Sequence, residues 1–252
     1  MTRQATKGPA PFNESSSGGE SSRGGAQCLE CSVNGASLLP DPSGVLYWPR
    51  ERVLVAADLH LEKGSFYATR GIVLPPYDTR TTLRSLTRAV NRYRPRTVIA
   101  LGDSFHDMGG AARLDRCDQE AIRALTAAHE FVWVAGNHDP EPPRDLGGDS
   151  VPELNIGPLF FRHEPLALPQ IGEVAGHLHP CAKLRLRGRS LRRRCFATDG
   201  NRLVMPALGA YAGGLNVLDK AFAPLFGARV TAWMLGDEAA YPIDSHRLRA
   251  DG

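Results

Sequence analysis

The sequence predicts an α/β fold with a largely buried sheet, and three observations predict it. Short apolar runs alternate with amphipathic stretches between Arg52 and Asp139. Those runs are almost free of polar residues, as strands covered on both faces read. From Leu159 onward, apolar pieces recur between turns with little helical pattern.

In order along the chain, residues 1–27 are rich in Ser and Gly and poor in apolar groups, so a disordered tail is expected there. Folded sequence is expected from near Val33, with residues 28–252 forming a single domain. "RVLVAADLH" from Arg52 predicts a buried strand that ends on polar side chains. "PPYDTRTTLRSLTRAVNRYRP" follows, and Leu83, Leu86 and Val90 make a helical stripe that Pro95 stops. "TVIALGDS" predicts a second strand, "LDRCDQEAIRALTAAHE" a second helix with Ile122 and Leu125 inward, and "FVWVAGNHD" a third strand. This alternation argues for α/β layering. "LFF" at 159–161, "EVAG" at 173–176, "CFAT" at 195–198 and "RLVMPAL" at 202–208 predict a strand-rich second half, arranged as a second sheet on the first.

Bulk properties exclude several classes. The 252 residues can bury a sizeable core, and 42% hydrophobic with 23% charged content is ordinary for a globular chain. A formal charge of +3 is too mild to argue by itself for a nucleic-acid partner. Five cysteines, sparse and odd in number, do not make a disulfide framework. The "CLEC" pair, Cys28 and Cys31, lacks the second pair a zinc site would need. No signal-peptide pattern and no apolar run of spanning length are present, so a cytoplasmic protein with no membrane association is expected.

The chemistry lies at the strand ends. The first strand ends on Asp58 and His60, the second on Asp103, and the third on Asn137, His138 and Asp139. Later pieces end on His163 and on "GHLH", His177 and His179. Carboxyl ends of strands are where α/β sheets place their sites. Asp, His and Asn without thiolate favour Mn²⁺, with Fe or Zn²⁺ also accommodated. The candidates are too many for one ion. A carboxylate such as Asp103 can bridge two, which can then clamp a phosphoryl group and activate water.

The ordered set DxH, GD, GNHD, a lone His and GHxH, across residues 58–179, resembles the calcineurin-like metallophosphoesterase superfamily. That resemblance implies a four-layer α/β/β/α sandwich with a two-metal centre between the sheets. It implies that Asp58, His60 and His179 hold one ion, that Asn137, His163 and His177 hold the other, and that Asp103 bridges. It also implies that His138 is no ligand but meets the substrate phosphate and protonates the leaving oxygen, oriented by Asp139. "ADLHLEKGSFYATRGIVLPPYDT", "LGDSFHD", "GHLHP" and "LRRRCFATDG" narrow the resemblance to the bacterial DNA-ligase-associated metallophosphoesterases, over roughly residues 50–225. This implies a phosphodiesterase or nuclease acting on DNA in repair or end processing. It further implies functional association with an ATP-dependent DNA ligase, a helicase and an exonuclease-like protein. One departure stands out: many superfamily members read GDxxD, and here the last place is His106. His106 and Asp107 either tune access to the site or belong to a loop that shapes it.

The run "CAKLRLRGRSLRRRCF" supplies a basic surface. On one strand, period two would put Lys183, Arg185, Arg187 and Arg189 on one face, with Arg192, Arg193 and Arg194 extending it. Phosphate contacts there fit a nucleic-acid substrate, and a solvated edge strand is the alternative. No aromatic residues interleave with the run, so backbone contacts rather than base stacking are expected. Glu62 and Lys63 are either supports for His60, a phosphate contact, or solvent-facing charge, while His129 and His246 read as ordinary surface residues. "GAYAGGLN" at 209–216 reads as a close-packed loop near the site, with Tyr211 and Asn216 free to face substrate. The rival functions are a small-molecule phosphodiesterase or phosphomonoesterase, and a non-catalytic accessory subunit of a repair complex.

Overall fold

The computed structural model describes residues 29–141, 144–168, 170–227 and 229–251. The expected disordered tail, residues 1–27, and Cys28 lie outside these.

Seven strands form the first sheet in chain order: β1 (Cys31–Val33), β2 (Ala36–Pro40), β3 (Leu46–Trp48), β4 (Val53–Ala57), β5 (Thr97–Leu101), β6 (Glu130–Val134) and β7 (Asp149–Val151). Strands β1 to β4 pair antiparallel and β4 to β7 parallel. The parallel crossovers carry α1 (Lys63–Ala68), α2 (Asp78–Tyr93), α3 (Gly110–Arg113) and α4 (Arg116–Ala128). All five residues of β4 are buried, as a strand covered on both faces requires. Leu54 and Ala56 pack with Leu83, Leu86 and Val90 of α2 and Ile122 and Leu125 of α4. Helix α2 stops at Tyr93 because Arg94 turns left-handed (φ 47°) ahead of Pro95. Helix α4 starts at Asp115, whose side chain accepts from the Asp118 amide at 2.8 Å.

The second sheet contains β8 (Leu154–Ile156), β9 (Leu159–Arg162), β10 (Glu173–Ala175), β11 (Cys181–Leu186), β12 (Arg189–Thr198), β13 (Leu203–Val204), β14 (Thr231–Leu235) and β15 (Ala240–Asp244). Its order is β15-β14-β12-β13-β10-β9-β8, with β11 paired to the outer half of β12. Val53, Val55, Ala57, Ile99 and Leu101 of the first sheet share one core with Phe161, Val174, Phe196, Leu203 and Trp233 of the second. This is the expected two-sheet arrangement. Truncating a fully buried member such as Phe161 to Ala removes roughly 3–5 kcal/mol.

Two features lie outside the strands expected from sequence. The β1–β3 meander adds an edge before Arg52, because strands of three to five residues are too short for alternation to stand out. Its Asn34–Gly35 turn, with both φ positive, is the hairpin signal that marks it. On the outer face of the second sheet, the covering layer among the described residues is built of turns around Val217, Phe222 and Leu225, with Leu248. Cys31 is buried in the inter-sheet core, and burial pushes its thiol up to about 12, the reverse of what a thiolate ligand needs.

Candidate metal centre

Both sheets aim their strand ends at one place. Asp58 and His60 follow β4, Asp103 follows β5, Asn137 to Asp139 follow β6, His163 follows β9, and His177 and His179 follow β10. Five of these residues are left-handed: Asp58 (φ 52°), His60 (43°), Asp103 (45°), His177 (68°) and His179 (46°). Each such residue costs of order 1–3 kcal/mol, and the surrounding structure holds it there. Main-chain bonds supply much of that hold. The Asp58 amide donates to Gly102 O at 3.2 Å, the His60 amide to Asp103 O at 2.9 Å, and the Gly176 amide to His163 O at 2.9 Å. The His177 amide donates to Asp58 Oδ2 at 3.0 Å, so a first-sheet carboxylate fixes a second-sheet turn.

The motif glycines admit these approaches. A Cβ on Gly102, itself at φ 71°, would overlap the His163 ring. One on Gly176 would press on the Asp58 carboxylate. Each glycine lets a side chain from the opposite sheet come close.

Two groups result. Asp58, His60 and His179 form one and Asp103, His163 and His177 the other, and within each the ligand atoms lie within 4.8 Å of one another. His60 Nε2 is 3.2 Å from His179 Nε2, which is 3.2 Å from Asp58 Oδ1. Asn137 Oδ1 joins the second group, 2.8 Å from His163 Nε2 and 3.0 Å from His177 Nδ1, and His163 Nε2 is 3.4 Å from Asp103 Oδ2. Burial and the facing His179 push His60 down to about 3, so its ring presents a lone pair at neutral pH. Burial works to raise Asp103, but hydrogen bonding and charge from His163 outweigh it and hold the carboxyl at about 2. Burial likewise opposes the charge on His163, and its bond to Asp103 overrides this and raises it. Imidazole nitrogens facing each other at 3.2 Å, together with carboxylate oxygens, suit a cation placed between them. Bonds of about 2 Å to one ion set neighbouring ligand atoms at about this separation. The residues fit divalent metal.

His138 stands beside these groups without joining either. Its Nε2 is 3.9 Å from Asp103 Oδ2 and its side chain is 41% exposed, so the ring is open to an incoming molecule. The expected orientation by Asp139 is not what the structure shows. Asp139 is buried and accepts from the Phe105 amide at 3.0 Å. Burial raises its carboxyl to about 7 despite that bond. The partner of His138 is instead the His106 carbonyl, which accepts from Nδ1 at 2.8 Å. That bond occupies Nδ1 and leaves Nε2 uncommitted to the main chain.

Other side chains near the site take parts that the sequence left open. Glu62 is buried and accepts from the Thr79 hydroxyl at 2.9 Å, so it faces inward. Lys63 is half-buried, which lowers its ammonium. Asp107 pairs with Arg113, away from the metal groups. The loop at 209–216 packs against β4 through the Gly209 amide and Asp58 O. Tyr211 Oη donates to Pro75 O and Asn216 Nδ2 to Arg249 O, so both polar groups are engaged by the main chain.

The basic run folds differently from the expected single strand face. It is the β11–β12 hairpin, turned at Arg187–Gly188 with both φ positive. Lys183 and Arg185 share a face and pair with Arg192 and Ser190. Arg187 sits in the turn, while Arg189 and Arg193 pair with Leu186 and Ala182 on the opposite face. Arg194 is half-buried, donating to Ala207 O at 2.6 Å and to Ser43 O at 3.4 Å. Arg192 donates to Gly214 O at 2.7 Å and pairs with Asp251 at 3.1 Å. Period two fails as a guide because the chain reverses in the middle of the run.

No helix among the described residues is long and apolar enough to cross a membrane. No curated protein matches the chain. Among solved structures, the Pseudomonas putida nuclease MPE superposes with a TM-score of 0.66 at 28% identity, over 85% of this chain and 99% of that one. Yfce, a phosphoesterase from E. coli, gives a TM-score of 0.38 at 14% identity, over 76% of this chain and 97% of that one. Residues 51–202 match the family described as calcineurin-like phosphoesterase. They span every strand end that carries a ligand-type side chain, and the chain therefore belongs to the calcineurin-like phosphoesterase family, as a metal-dependent hydrolase of phosphoric esters.

Proposed function

We propose that this protein hydrolyses phosphodiester bonds in DNA, in repair or end processing, with two divalent ions, Mn²⁺ foremost. The observation that carries the reading is the pair of adjacent ligand groups with an uncommitted imidazole beside them. A structural metal needs neither a second group nor an open histidine, which weighs against a purely accessory role. Asp58, His60 and His179 would hold one ion, and Asn137, His163 and His177 the other, with Asp103 between them. Bound there, the ions would stabilise charge on the attacking and leaving oxygens of an in-line displacement at phosphorus.

The rest falls to the chain's own groups. His138 Nε2 would hold the proton that the leaving oxygen takes up, its Nδ1 fixed by the His106 carbonyl. Lys183, Arg185 and the exposed guanidiniums around them would bind backbone phosphates. The likeness to the Pseudomonas putida nuclease supports a nucleic-acid substrate. The narrower sequence resemblance supports a place in the cytoplasm beside an ATP-dependent DNA ligase, a helicase and an exonuclease-like protein. A small-molecule substrate is favoured by one observation: Arg192 and Arg194 are engaged internally, which thins the basic patch.

The test is a metal-dependent screen over DNA, RNA, a bis-aryl phosphodiester and an aryl phosphomonoester, with chelator and with Asp103→Ala. DNA cleavage that needs Mn²⁺ and falls at least about 10³-fold in Asp103→Ala is expected, because that carboxylate, placed between the ions as proposed, would serve both. Turnover of aryl esters without DNA cleavage would replace DNA with a small molecule. No turnover at full metal occupancy would leave the accessory reading.

A further inference from the structure

The β11–β12 hairpin commits three of its seven cations to the protein itself, since Lys183, Arg192 and Arg194 meet Asp251 or main-chain carbonyls. A cation outside that hairpin is committed to nothing polar. Arg70 follows α1 and is exposed. Its guanidinium lies 4.0 Å over the Phe66 ring. Among the described residues its side chain makes no ion pair and no hydrogen bond. One face of the guanidinium is therefore seated while its N–H edges stay free. The main chain beneath it is fixed, because the Arg70 amide donates to Tyr67 O and the Gly71 amide to Ala68 O, each at 3.0 Å. A guanidinium stacked on a ring is pre-organised, and its planar fork of donors matches a phosphate.

The position of Arg70 says which phosphate. Phe66 meets the His106 ring edge-on at 4.6 Å, and that ring stacks on His138 at 5.2 Å. Arg70 thus stands at the outer end of a row of rings that begins at the open imidazole. A diester held at the metal groups with its leaving oxygen toward His138 directs the departing strand along this row. We propose that Arg70 is a substrate-binding residue that holds a backbone phosphate of the departing strand, beyond the bond being cut. The proposal rests on the DNA reading and deepens it, adding α1 to the hairpin as a second anchoring surface. A small diester with a single phosphate cannot reach it.

The experiment compares Arg70→Gln with Arg50→Gln. Arg50 is exposed in the turn that leads into β4, at the opposite end of that strand from Asp58. Binding of a phosphorothioate single-stranded oligonucleotide, which keeps the backbone charge and slows cleavage, is titrated against salt with the Mn²⁺-loaded protein. Cleavage is followed on the all-phosphate strand and on a bis-aryl phosphodiester. In Arg70→Gln the slope of log K against log salt should flatten by roughly 0.7, whatever the base sequence. In Arg50→Gln it should not change. The loss in kcat/KM for Arg70→Gln should be about tenfold greater on DNA than on the aryl diester. An unchanged slope in Arg70→Gln, or the same flattening in Arg50→Gln, would overturn the proposal. Equal losses on the two substrates would overturn it too, showing that Arg70 acts through Phe66 on the site itself. If the wild-type protein binds the strand but cleaves none, the proposed function fails and the slopes alone decide the role of Arg70. If it binds no strand, both fail.

Discussion

The strand-end cluster gathers nine functional-type side chains and the β11–β12 hairpin seven basic ones, and they are built by opposite rules. At the strand ends, Asp58, His60, Asp103 and His163 are buried, and their atoms are fixed from both sheets at once. On the hairpin, Arg185, Arg187, Arg189 and Arg193 face outward, while Lys183, Arg192 and Arg194 are tied to the rest of the protein. The first region cannot move one group without disturbing several others. The second tolerates change except where a guanidinium satisfies main-chain carbonyls.

The largest expected effect tests the rigidity of the strand ends. Gly102→Ala should cost about 3 kcal/mol or more in urea denaturation, since the new Cβ is both strained and set against the His163 ring. Near wild-type stability would mean that the strand ends yield as freely as the hairpin. Next comes the inner end of the hairpin. Arg194→Met should cost about 1–3 kcal/mol, because the Ala207 and Ser43 carbonyls lose their donor. It should leave the salt dependence of DNA binding unaltered, and a change there would return Arg194 to the substrate surface. The smallest effect belongs to the exposed face. Replacing the exposed Arg185 and Arg187 by Gln should move stability by no more than about 0.5 kcal/mol. The slope of log K against log salt for DNA should flatten by roughly 0.7–0.9 for each phosphate that is no longer neutralised. An unchanged slope would make this face a solvated edge and nothing more.

The same contrast explains what was legible before folding. Strands β4, β5 and β6 and helices α2 and α4 announce themselves through apolar runs and stripes, because burial imposes a local period. The ligand-type residues were legible for a related reason: each closely follows a strand. The role of Asp139 was not, because its carboxylate turns to the Phe105 amide in another loop. Nor were the surroundings of His106, whose ring meets those of His60, Phe66, Tyr67 and His138, each brought from elsewhere in the chain. The hairpin misled because one glycine turn, at Arg187–Gly188, reassigns the face of every charge after it.

The sequence by itself determined the strand–helix alternation and the donor chemistry of Asp, Asn and His at strand ends, since both depend on a residue and its near neighbours. Which donors share a cation site was decided by tertiary structure. His60 and His179 stand 119 residues apart and face each other at 3.2 Å. No local rule sets a distance of that kind. It follows from two sheets closing on one apolar core, with the turns after β4 and β10 joined by the His177 amide and the Asp58 carboxylate and a glycine on each side admitting the other's side chain.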